Sequence, residues 1–79
     1  MSDALPAVLR AVSATTGRSL ETLSPETPIE SLKLDSLDEV EILMSLEDKL
    51  GVVADQAEVN ACATLGDLAQ LLQKVLNTA

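Results

Sequence analysis

The chain has 79 residues, thirteen acidic and five basic, for a formal charge of −8, with no His, Phe, Tyr or Trp and a single cysteine, Cys62. That length bounds it to one domain, residues 1–79, and its charge argues against nucleic acid and anionic membrane as partners, because phosphates require clustered Lys and Arg. Without histidine the commonest general base and metal ligand are missing, and one cysteine can form neither an internal disulfide nor a thiol metal site.

The first predicted element is a helix over "SDALPAVLRAVSATTG", where Leu5, Val8, Leu9 and Val12 recur at helical spacing and share a face. Ser2 or Asp3 can cap it, Pro6 is tolerated in the first turn, and Gly17 is a suitable stop. Residues 18–35 read as a long ordered loop. Pro25 and Pro28 interrupt helix, yet Leu20, Leu23, Ile29, Leu32 and Leu34 are too apolar for a free linker, so several should dock on the core.

A second helix is predicted from Ser36 to Leu50, with Asp35 as N-cap, Asp38 and Glu39 at the positive end of the dipole, and Gly51 as terminator. Val40, Ile42, Leu43, Leu46 and Leu50 form its expected core-facing arc. Leu37 and Met44 lie on another side, near Glu41 and Asp48. They either widen the core face or form a small exposed apolar stripe bordered by acid. A short third helix follows in "DQAEVNAC", capped by Asp55. The fourth, "TLGDLAQLLQKVLN", opens on Thr64 and Asp67 spaced as a capping-box variant, with Leu65, Leu68, Leu72, Val75 and Leu76 as its apolar stripe. Gly66, in the first turn, should cost little. The expected fold is all-α: a small four-helix bundle of three main helices and one short one, with a long ordered loop between helices 1 and 2 and an aliphatic core. The start "MSDALPAVLR" lacks the basic and apolar regions of a signal peptide, and no apolar run could span a bilayer, so a cytoplasmic protein without stable membrane insertion is expected.

Chemistry concentrates at Ser36, between Asp35 and Leu37, followed by Asp38, Glu39, Glu41, Glu47 and Asp48. No histidine is available to activate this hydroxyl, and Lys33 belongs to a loop where solvation is expected, so a hydrolase nucleophile of the usual kind is excluded and no catalytic residue is assigned. Asp38 and Glu41 are too few and too exposed for a metal cage. The bland alternatives are a serine that serves only helix-start chemistry, acids that form a solvated face, and a Cys62 that fills space as a small buried hydrophobe.

The stretch "LDSLDEVEILMSLE" resembles the acyl carrier protein family in Asp35, Ser36, Leu37, Asp38, Val40, Glu41, Met44, Leu46 and Glu47. The order of elements is similar along nearly the whole chain. It departs from the family pattern at Lys33, where glycine is usual two residues before the aspartate, and at Leu50, where an aromatic is usual. Asp38-Glu39-Val40-Glu41 is more like stand-alone fatty-acid-type carriers than peptidyl carriers.

The resemblance implies that Ser36, flanked by Asp35 and Leu37, receives 4′-phosphopantetheine from coenzyme A through a phosphodiester. A separate phosphopantetheinyl transferase with Mg²⁺ would activate the hydroxyl, and the cofactor would supply the thiol that carries acyl groups. The chain would then be a non-catalytic carrier, a monomer that delivers acyl thioesters to separate enzymes of fatty acid, polyketide or related lipid synthesis. Asp38, Glu41, Met44, Glu47 and Asp48 would dock acyl-processing enzymes bearing basic patches. An aminoacyl or peptidyl carrier of a specialised pathway, and an unmodified acidic protein-binding adaptor, stay open as alternatives.

Overall fold

Helix α1 spans Ala4–Thr16 in the computed structural model, which describes residues 4–78; the expected Ser2 or Asp3 cap lies outside the described residues. Its buried stripe is Ala4, Val8, Ala11 and Val12, with Leu5 and Leu9 half-buried at the margin. Gly17 takes the left-handed conformation (φ 76°) and its amide donates to the Ser13 carbonyl at 2.9 Å, which ends the helix as expected.

Three further helices follow: α2 (Ser36–Leu50), α3 (Gln56–Asn60) and α4 (Leu65–Thr78). Helix α1 packs against both α2 and α4, and the most deeply buried large side chains, Val8, Val12, Leu46, Leu65 and Leu72, come from these three helices. The protein is thus an all-α bundle of three main helices and one short one. Among the described residues no strand forms; Pro28 and Thr64 meet in an isolated antiparallel bridge.

The connection between α1 and α2 is ordered by two short 3₁₀ turns, Leu20–Thr22 and Ile29–Leu32. Leu23 and Leu32 are buried and Ile29 and Leu34 partly so, whereas Leu20 stays exposed. Backbone bonds pin this loop to the start of α4: Ile29 N–H donates to the Ala63 carbonyl at 2.9 Å, Leu65 N–H to Thr27 at 3.0 Å, and Gly66 N–H to Pro25 at 2.8 Å. A Cβ at position 66 would lie 2.8 Å from the Pro25 carbonyl oxygen. Gly66 is therefore a point of close approach between loop and helix, a role its place in the helix pattern did not disclose.

The start of α4 closes reciprocally. Thr64 Oγ1 accepts from the Asp67 amide at 3.1 Å, and Asp67 Oδ2 accepts from the amides of Ala63 and Thr64 at 3.1 and 3.2 Å. The other end of the loop turns on Lys33, a non-glycine residue in the left-handed region (φ 53°, ψ 46°) whose amide donates to the Glu30 carbonyl. Most side chains resist that conformation.

Candidate functional site

Ser36 is the first residue of α2, and it is exposed. Asp35, in extended backbone, caps the helix through Oδ1, which accepts from the Asp38 amide at 2.8 Å, while the Asp35 carbonyl accepts from Glu39 N–H at 3.1 Å. The amides of the first turn have no intrahelical acceptor and carry the positive end of the helix dipole. A phosphate on Ser36 Oγ would sit at that end, so the position fits a phosphoester. The hydroxyl itself is reachable by another protein, and the described residues contain no histidine to activate it.

Helix α2 presses on the bundle through Ile42 and Leu46, flanked by the half-buried Leu43 and Leu50. Val40 does not belong to that arc. It lies about 160° round the helix from Ile42 and is 52% exposed, which corrects the expectation that it faces the core. Instead it joins Leu37 (68% exposed) and Met44 (63%) at i, i+3 and i+7. The apolar stripe is therefore real and longer than the sequence indicated, with exposed Glu41 and Asp48 along one edge. Asp38 is only partly exposed. Glu47 has work within the fold: its Oε2 accepts from the Ala54 amide at 2.9 Å and anchors the connection to α3.

A cavity of about 470 Å³ opens beside Ser36, between α2 and α3. Its depth is apolar, with Val12, Ile42, Leu65 and Leu68 among the walls, and its rim carries Ser36, Glu39 and Glu47 from α2 and the α3 amides Gln56 and Asn60. Those two amides are themselves joined, Gln56 Nε2 donating to Asn60 Oδ1 at 3.1 Å. Met44 and Glu47 thus share a wall with Ser36, whereas Asp35, Asp38, Glu41 and Asp48 lie outside it. Sequence reasoning missed this cavity and the contributions of Glu39, Ala54, Gln56, Val59 and Cys62 to its lining. The available signal was the small size of Ala54 and Cys62 in a chain whose other inward positions are mostly Leu, Val and Ile.

Cys62 is partly buried against the core, and its thiol lies 3.5 Å from the Glu58 carbonyl. Burial, with Asp67 and Glu58 nearby, pushes its pKa above the ordinary thiol value, so it stays protonated at neutral pH. The expectation of a space-filling, unreactive cysteine agrees with this setting.

Comparison with known proteins addresses the same site. The profile of the family described as "Phosphopantetheine attachment site" matches residues 6–72. Chloroplastic acyl carrier protein 1 of Casuarina glauca is 37% identical over 51 residues, covering 65% of this chain and 38% of that protein. The acyl carrier protein of Thermotoga maritima is 38% identical over 48 residues, 61% of this chain and 59% of that one. That of a Sulfurovum species is 38% identical over 47 residues, 60% of this chain and 63% of the relative. The matched stretch spans roughly two fifths of the chloroplast protein and about three fifths of the bacterial ones.

Proposed function

This chain belongs to the acyl carrier protein family, whose cofactor is covalent 4′-phosphopantetheine, and from that premise we propose that Ser36 is the attachment point and that the domain, residues 1–79, carries acyl thioesters on the resulting arm. The observation that carries this reading is the position of Ser36: an exposed hydroxyl on the first residue of α2, on the rim of an apolar cavity. Attachment joins Ser36 Oγ to the phosphorus of the pantetheine-side phosphate of coenzyme A and breaks the pyrophosphate link, releasing adenosine 3′,5′-bisphosphate. The hydroxyl proton passes to the transferase, so this chain needs no base of its own. Asp35 and the first-turn amides hold the helix start in place for the transferase, and the helix dipole favours the phosphodiester formed.

The cofactor, when bound, supplies the thiol that forms thioesters. What the chain supplies is a fixed anchor, an apolar recess and a docking face. The recess favours an acyl cargo over an aminoacyl one, because a charged ammonium would lose its hydration among Val12, Ile42, Leu65 and Leu68 without a partner. The face is the stripe Leu37, Val40 and Met44 beside Glu41 and Asp48, suited to enzymes with basic docking patches around an apolar contact. Under this reading the protein is a non-catalytic, monomeric cytoplasmic carrier serving separate enzymes of fatty acid, polyketide or related lipid synthesis. Among the described residues no helix is long and apolar enough to cross a membrane.

Intact mass after incubation with coenzyme A and a broad-specificity phosphopantetheinyl transferase tests the assignment. The parent should gain one phosphopantetheine and Ser36→Ala none, with unchanged helical content. Modification of Ser36→Ala at another residue would overturn it.

A further inference from the structure

A second, more open cleft of about 620 Å³ lies alongside the first cavity, on the side of the loop that precedes α2. Four residues line both: Ile29, Leu34, Glu39 and Cys62. They form the divide between the two spaces. Three of them are poorly placed to yield. Ile29 and Leu34 pack against the core, and the Ile29 amide is tied to the Ala63 carbonyl at 2.9 Å. Glu39 presents a carboxylate, which an apolar chain avoids. Cys62 is the smallest side chain of the four and the least polar after the two aliphatics.

The backbone around Cys62 is fixed from both sides. Cys62 N–H donates to the Val59 carbonyl at 3.1 Å, and the next amide, Ala63 N–H, donates to Asp67 Oδ2 at 3.1 Å. With its backbone held on both sides, the side chain at position 62 borders both spaces.

Resting on the carrier reading above, we propose that Cys62 is a specificity-determining residue: it is the low point of the divide, over which an acyl chain too long for the first cavity passes into the second cleft. A short acyl group fills only the part of the first cavity short of Cys62 and leaves the thiol uncovered. A longer straight chain lies across the thiol. A bulkier residue at position 62 closes the passage and confines the carrier to shorter cargo.

The chain's composition supplies its own probe. Cys62 is the only cysteine, and in acylated protein the cofactor's thiol is occupied by the thioester, so Cys62 is the single thiol open to alkylation. The experiment loads straight-chain acyl groups, from acetyl to dodecanoyl, enzymatically from the corresponding acyl-coenzyme A. It then follows N-ethylmaleimide labelling by intact mass at fixed pH. Labelling should be insensitive to length for the shortest groups. Beyond the length that reaches Cys62 it should fall by roughly fourfold for each further methylene drawn across the thiol (~0.8 kcal/mol each), until the thiol is covered. In parallel, the rise in melting temperature with acyl length should level off at a shorter chain in Cys62→Leu than in the parent. Labelling that is the same for acetyl and dodecanoyl protein overturns the inference, as does an identical plateau in Cys62→Leu. Loading distinguishes the two levels: a parent that takes up no acyl-phosphopantetheine sinks the carrier reading and this inference with it, whereas a loaded parent with length-independent labelling sinks the inference alone.

Discussion

Replacing Gly66 by alanine sets local propensity against tertiary contact, and the structure decides which wins. In the first turn of α4, glycine to alanine should stabilise the helix by at most about 1 kcal/mol. The new methyl carbon, however, would stand 2.8 Å from the Pro25 carbonyl oxygen and 3.1 Å from Pro25 Cβ. Pro25 must retreat by roughly 0.6 Å to restore ordinary contact. That retreat strains the 2.8 Å bond from Gly66 N–H to the same carbonyl, and the neighbouring Ile29–Ala63 and Leu65–Thr27 bonds resist it. Overpacking of this kind costs about 1–3 kcal/mol, and a compromised hydrogen bond about 1 kcal/mol more. Set against the propensity gain, Gly66→Ala should lose about 1–3 kcal/mol, which in a domain of this size lowers the melting temperature by about 5–20 °C. Far-UV circular dichroism melts and urea titrations on the purified variant would measure it, with an unchanged urea slope showing that the folded state is otherwise the same. A variant that melts at or above the parent would refute the reasoning, because it would mean that the loop yields freely at Pro25.

Lys33→Gly should raise stability by about 0.5–1 kcal/mol in the same urea titration, since glycine relieves the left-handed strain at φ 53° and returns only part of the gain as unfolded-state entropy; an unchanged or lower midpoint would contradict it. Glu47→Ala should lose about 1–2 kcal/mol by stripping the Ala54 amide of its acceptor, while Glu47→Gln, which keeps a side-chain oxygen, should lose less than half of that; equal losses in the two variants would show that the hydrogen bond is not the cause. At the docking face, Glu41→Lys should slow association with a basic transferase and flatten its salt dependence, whereas Leu37→Ala, Val40→Ala and Met44→Ala should speed dissociation at unchanged salt dependence. Stopped-flow binding at several salt concentrations separates the two, and Glu41→Lys associating as fast as the parent at low salt would reduce the acidic edge to a solvated face.

Much of this was readable from the sequence because it depends on neighbours along the chain. Asp35 caps α2, Gly51 ends it in the left-handed conformation, and Thr64 and Asp67 close the start of α4; each is a relation between residues a few positions apart, and local backbone geometry enforces it whatever the rest of the fold does. The same holds for the place of Ser36 as the first residue of α2, which the Asp35 cap fixes, although its exposure does not follow from the cap, since Leu65 opens α4 in the same way and is buried. Val40 was misplaced for the opposite reason. Periodicity gives the width of an apolar arc but not where its centre points, and the direction was set by the packing of α2 on α1, with Ile42 and Leu46 buried.

What the sequence by itself determined was the set of helices, their caps, the acidic character of α2 and the serine at its start. The tertiary structure alone decided that Gly66 touches Pro25, that Lys33 carries backbone strain, that Glu47 holds the connection to α3, and that a cavity opens between α2 and α3 with Cys62 on its divide. These features join segments far apart in the chain, or depend on the space left between packed elements. Such space is fixed by side-chain volumes meeting from several helices at once, a quantity that no single stretch of residues contains.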